Sequence, residues 1–125
     1  MKVRSYRELK VWQHGMKLAE ENYCLTEKFP KYETYALSNQ MQRAVVSIPS
    51  NLAEGHARES TKEFLHHISI TLGSLAELET QLMLAERLKY VGDIELEATL
   101  SKTDELGKML RGMQKSLRAR LAPSP

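Results

Sequence analysis

The sequence predicts an all-α fold, an antiparallel up-down-up-down four-helix bundle, and three observations carry that reading. Four segments place apolar residues at spacings of three and four, the period of a helix with one buried face. Short connections join them, and short connections between long helices force antiparallel neighbours. With 42% hydrophobic and 27% charged residues but only six Gly and four Pro, the 125-residue chain suits long regular helices rather than disorder or an all-β fold. That length makes one domain, residues 1–125, able to bury a core without disulfides or metal.

The first helix is expected at about residues 6–28. Ser5-Tyr6-Arg7-Glu8 has the spacing of a capping box, in which the Ser hydroxyl and the Glu carboxylate each satisfy a first-turn N–H. Two seams follow. One runs through Leu9, Trp12, Met16, Ala19, Tyr23 and Thr26, the other through Val11, Gly15, Leu18, Asn22, Leu25 and Phe29. One bundle core needs one seam, so Val11, Leu18, Leu25 and Phe29 form a surplus apolar strip, expected to be an interface. Phe29-Pro30 ends the helix, since proline drives the preceding residue out of the α region.

The second helix, about 34–57, turns Leu37, Met41, Val45, Ile48 and Leu52 inward. Pro49 lies inside it and removes one backbone bond, so a kink is expected, with the apolar register resuming at Leu52. Ser60-Thr61-Lys62-Glu63 is a second capping box and opens the third helix, about 61–89, whose stripe is Phe64, Ile68, Leu72, Leu75, Leu78, Leu82 and Ala85. Asp93 is the candidate N-cap of the fourth helix, about 94–119, which carries Leu96, Leu100, Thr103, Leu106, Leu110, Met113 and Leu117. Residues 122–125 read as a frayed tail.

The net charge of +2 hides an asymmetry. The start of helix 1, the turn between helices 2 and 3, and the end of helix 4 share one pole of the bundle. Lys2, Arg4, Arg7, Lys10 and Lys17 face only Glu8 in residues 1–17, and residues 108–120 hold Lys108, Arg111, Lys115, Arg118 and Arg120 with no acid. Arg58 and Lys62 add to this pole from the turn, partly offset by Glu54, Glu59 and Glu63. The stretch from Glu77 to Glu105 carries eight acids against Arg87, Lys89 and Lys102. A basic pole of this kind can hold RNA or DNA by its phosphates, each contact releasing condensed counterions. Cations near a helix C-terminus also favour the macrodipole without any ligand.

Catalytic chemistry finds little support. Glu63 and His66 form a Glu-x-x-His, but a di-iron bundle needs two such motifs and facing carboxylates, and Glu63 already serves the capping box. His66 and His67 diverge by about 100° on a helix, His14 and His56 are isolated, and Cys24 lacks an activating neighbour. No catalytic residue, metal site or cofactor is expected. The single Cys fits a reducing compartment, and neither a leader-like h-region nor a stretch approaching 20 apolar residues is present, so a cytoplasmic location without membrane contact is expected.

On helix 2, Gln40, Arg43, Ser47, Asn51 and Glu54 recur at spacings of three and four as a polar stripe beside the apolar one. It reads as a solvated face, as a hydrogen-bonded network under the surface that compensates Pro49, or as a subunit contact. At these residues the chain resembles a known family. Leu9-Lys10-Val11-Trp12-Gln13, Phe29-Pro30 with Glu33 and Tyr35, the run from Gln40 through Arg43-Ala44 to Asn51-Leu52-Ala53-Glu54-Gly55, and Leu72 to Glu79 look like the four-helix-bundle proteins encoded in intervening sequences of bacterial 23S rRNA genes. The resemblance implies a left-handed bundle that assembles into a homopentamer, without an established enzymatic activity. It also implies a polar signature at Arg43, Ser47, Asn51, Glu54, Glu77 and Glu79. Related accessory proteins of diversity-generating retroelements form basic barrels that bind nucleic acid and a reverse transcriptase. The sequence therefore points to a non-enzymatic homo-oligomer that holds nucleic acid through its basic pole. A scaffold for a partner protein is the alternative, and a metal-dependent enzyme the last.

Overall fold

Ser60 shows how local chemistry sets the helix starts: its Oγ accepts from the Glu63 N–H at 3.2 Å, satisfying a donor that the first turn leaves orphaned. The computed structural model describes residues 5–121, so Arg4 and the tail at 122–125 lie outside the described residues. Four helices follow in order: α1 (Lys10–Thr26), α2 (Leu37–Ala57), α3 (Thr61–Arg87) and α4 (Asp93–Leu121), with no strand among the described residues.

Three starts differ from expectation, the last by one residue: Asp93, expected as the N-cap, is the first residue of α4, and the Leu96 N–H donates to the Gly92 carbonyl. Ser5 Oγ accepts from the Arg7 N–H, which opens only a 3-10 turn at Tyr6–Glu8, and Leu9 is extended before α1 begins at Lys10. The second helix begins at Leu37 rather than Thr34. A 3-10 turn at Lys31–Glu33 precedes it, and the Glu33 carboxylate then accepts from the Leu37 N–H at 3.3 Å. α2 runs unbroken through Pro49. Side-chain donors gather around that point: Ser47 Oγ donates to the Ala44 carbonyl at 2.7 Å, and Asn51 Nδ2 to the Ser47 carbonyl at 2.9 Å. α3 ends in a Schellman arrangement, with Lys89 N–H donating to Glu86 O, Tyr90 N–H to Ala85 O, and Lys89 at φ 65°.

Contacts between helices fix the arrangement. Gln42 reaches Thr26 and Gly15 lies on Ile48 and Pro49, pairing α1 with α2. Asn51 meets His67 and Ser47 meets Ser74 between α2 and α3. Thr103 bonds Glu79 and Gly107 lies against Leu75 between α3 and α4, while Lys102–Glu21 and Lys28–Glu95 close α4 onto α1. In every pair, numbers fall along one helix as they rise along the other, so each neighbour is antiparallel.

The core corrects the expected interface. Val11 and Leu18 are each 3% exposed, and Leu25 and Phe29 are buried with them among Met41, Val45, Ile48, Leu78, Leu82, Leu106 and Leu110. These four residues are therefore unavailable to another chain. The middle of the other seam faces outward instead, with Met16 41% and Tyr23 45% exposed and Trp12 and Ala19 half-buried, while Thr26 at its end is buried. Gly15 decides which seam turns inward. A Cβ there would stand 3.1 Å from Ile48 Cγ2, so its absence lets α1 settle on α2 at Pro49.

Candidate functional site

The helix order puts the start of α1, the turn from α2 to α3 and the end of α4 together, so Arg7, Lys10, Arg58, Lys115, Arg118 and Arg120 share one end of the bundle, all exposed. Lys108 and Arg111 lie farther along α4. Lys108, Arg111, Lys115 and Arg118 follow one another at spacings of three and four, one strip over about 15 Å of helix. The Arg111 guanidinium and Leu75 Cδ2 both stand beside the Cα of Gly107, which turns this strip toward α3. Arg120 is off the strip. Among the described residues none of Lys10, Lys108, Arg111, Lys115, Arg118 and Arg120 has a carboxylate within 4 Å. Arg58, in contrast, is paired with Glu54 at 3.1 Å, and the Arg7 guanidinium sits 5.1 Å above the Tyr6 ring.

The polar stripe of α2 is divided. Arg43 and Ser47 line a polar pocket of about 380 Å³ with Ser74 and Glu77 of α3. One to two turns on, Asn51 Oδ1 lies 3.1 Å from His67 Nδ1, and Glu54 links His67, at 3.9 Å, to Arg58. Glu79 is apart from both groups, accepting from the Thr103 hydroxyl at 2.7 Å between α3 and α4. His67, which the sequence set aside because it diverges from His66, is thus a partner of the stripe. His66 is exposed, and among the described residues no three His, Cys, Asp or Glu side chains converge to hold a metal ion.

Sequence reasoning missed an apolar groove of about 720 Å³ between α1 and α2, lined by Trp12, Met16, Tyr23, Val46, Pro49 and Ala53. Its signal was the very seam assigned to the core. At the opposite end, the Tyr90 hydroxyl donates to Glu33 at 2.8 Å and stands 3.0 Å from Tyr32. Those two bonds, Tyr32 foremost, raise the Tyr90 pKa. Nearby, a hydrogen bond with the Asp93 carboxyl raises Glu86 above its ordinary value.

The sequence profile of the 23S rRNA-intervening sequence proteins matches residues 7–112, from the turn before α1 to well within α4. The chain belongs to that family. The matched span holds the groove except for Tyr6, the polar stripe, Lys108 and Arg111, whereas Lys115, Arg118 and Arg120 lie past its end. The crystal structure at 1.70 Å of a protein of unknown function from the S23 ribosomal protein family of Bacteroides thetaiotaomicron VPI-5482 is similar, with a TM-score of 0.76 and 23% identity. The alignment covers 84% of this chain and 98% of that one, and at this identity the likeness bears on the fold alone. A search of curated proteins finds no match. Among the described residues no helix is long and apolar enough to cross a membrane.

Proposed function

We propose that the protein is a non-enzymatic cytoplasmic module that assembles with copies of itself and holds RNA or DNA through phosphate contacts at its basic end. The observation that carries this reading is the α4 strip of Lys108, Arg111, Lys115 and Arg118, four exposed cations without a carboxylate within 4 Å among the described residues. Arg7, Lys10 and Arg120 extend the cationic surface around the same end, and Arg58 joins it with its charge paired to Glu54. Such a surface grips backbone charge and reads no sequence. Assembly is assigned to the α1–α2 groove, because exposed Met16, Tyr23 and Val46 line it and contiguous apolar surface marks interfaces. A homopentamer is the assembly that family resemblance suggests.

Binding of short single- and double-stranded RNA and DNA, titrated against salt, tests the reading. Affinity should fall steeply with salt, and the triple reversal Arg111→Glu, Lys115→Glu, Arg118→Glu should flatten the slope by about three ion equivalents. No binding at low salt overturns it. The same groove favours a second reading, a scaffold for an apolar segment of another protein; capture that survives nuclease and high salt would select it.

A further inference from the structure

Arg43 and Ser47 of the α2 stripe belong neither to the apolar groove nor to the cationic strip. Between α2 and α3 lies a pocket of about 380 Å³, within the range of small-molecule sites, and its lining is mostly polar. Ser47 and Ser74 are hydrogen-bonded to each other at 2.6 Å in its lining. One turn along both helices from that bond, Arg43 and Glu77 come level on opposite sides. Helices packed side by side have axes roughly 8–10 Å apart, so these two long side chains could meet. They do not: among the described residues neither has an opposite charge within 4 Å. A cation and an anion line one pocket and leave the space between them open.

The rest of the lining sorts by chemistry. Ser47 Oγ is also 2.7 Å from the Ala44 carbonyl. A hydroxyl carries one proton, so the Ser47–Ser74 pair offers oxygen lone pairs and at most one free proton, an accepting surface near Glu77. Asn39 and Gln40 bring amide N–H donors to the same pocket as Arg43. One side thus suits an ammonium and the other a carboxylate.

We propose that this pocket binds a small zwitterion, a free α-amino acid, with Arg43 on the carboxylate and Glu77 on the ammonium. Arg43 offers a planar two-point fork for the carboxylate, and Glu77 with the serine oxygens accepts from the ammonium. Both residues are exposed, so neutral substitutions there leave the core intact.

The test is calorimetric titration of the purified full-length protein with each of the common α-amino acids. The best binder is then compared with its decarboxylated amine and its des-amino acid. Saturable binding is expected, weakened at least tenfold by removing either group. Arg43→Gln should bind the amino acid no better than the decarboxylated amine, and Glu77→Gln no better than the des-amino acid. No saturable binding across the panel at millimolar ligand overturns the proposal, as does binding that both substitutions leave unchanged. Nucleic-acid affinity and solution mass should be the same in both variants.

Discussion

At the scale of single residues, close approach and unpaired polarity decide the sharpest outcomes. Gly55 is packed so tightly that a Cβ would stand 2.5 Å from the Cβ of His67. Gly55→Ala must therefore push α3 away from α2 and draw His67 off Asn51, and overpacking of this kind costs about 1–3 kcal/mol. Urea denaturation should show that loss, while Gly73→Ala, with open space around it, should show none. Asn22 is the opposite case. It is 2% exposed, and neither its amide oxygen nor its nitrogen has a partner among the described residues. Removing an unpaired buried polar group recovers its desolvation cost, so Asn22→Leu should stabilise the fold by about 1–3 kcal/mol in the same assay.

At the scale of elements, the turn from α3 to α4 concentrates two correctable strains. Lys89 holds φ 65°, the left-handed region that favours glycine, because the Schellman bonds require it there. Lys89→Gly should gain about 1 kcal/mol, read as a higher thermal midpoint. In the same turn, Glu86 is raised above its ordinary 4.5 chiefly by its bond with Asp93. A raised carboxyl means the folded state binds that proton more tightly than the unfolded chain does. The stabilisation is full below pH 4.5 and is lost as pH rises through the folded value. Glu86→Gln, which leaves the Asp93 charge at the start of α4, should consequently stabilise the protein at pH 7 and lose that advantage in acid, which denaturation midpoints at the two pH values would report. The elements themselves were largely legible. The inward residues of α2, Leu37, Met41, Val45, Ile48 and Leu52, are all buried, because a single stripe at helical spacing leaves one solution. The start of α1 was not legible, because Leu9 turns extended after the turn that Ser5 caps, and no local pattern marks that break before the helix opens at Lys10.

At the scale of the molecule, charge and shape differ in how much sequence reveals. The cationic end follows from helix order alone, whereas the polar pocket at Arg43 and Glu77 depends on the register of α3 against α2, which no local pattern encodes. The choice between the two seams of α1 belongs to the same class, since it rests on Gly15 meeting Pro49 in another helix. That choice has a direct experimental consequence. Leu18 is in the core and Met16 on the groove, two positions apart on one helix. Leu18→Ala should cost about 2–5 kcal/mol in unfolding free energy, the range for deleting a buried leucine. Met16→Glu combined with Tyr23→Glu puts charge on an already exposed surface and should leave the unfolding of the single chain within about 0.5 kcal/mol. If the groove joins copies, the double variant should instead lower the solution mass by sedimentation at every concentration. A double variant that keeps its full mass would remove the groove from the assembly, and a stable Leu18→Ala protein would return the Val11–Phe29 seam to the surface.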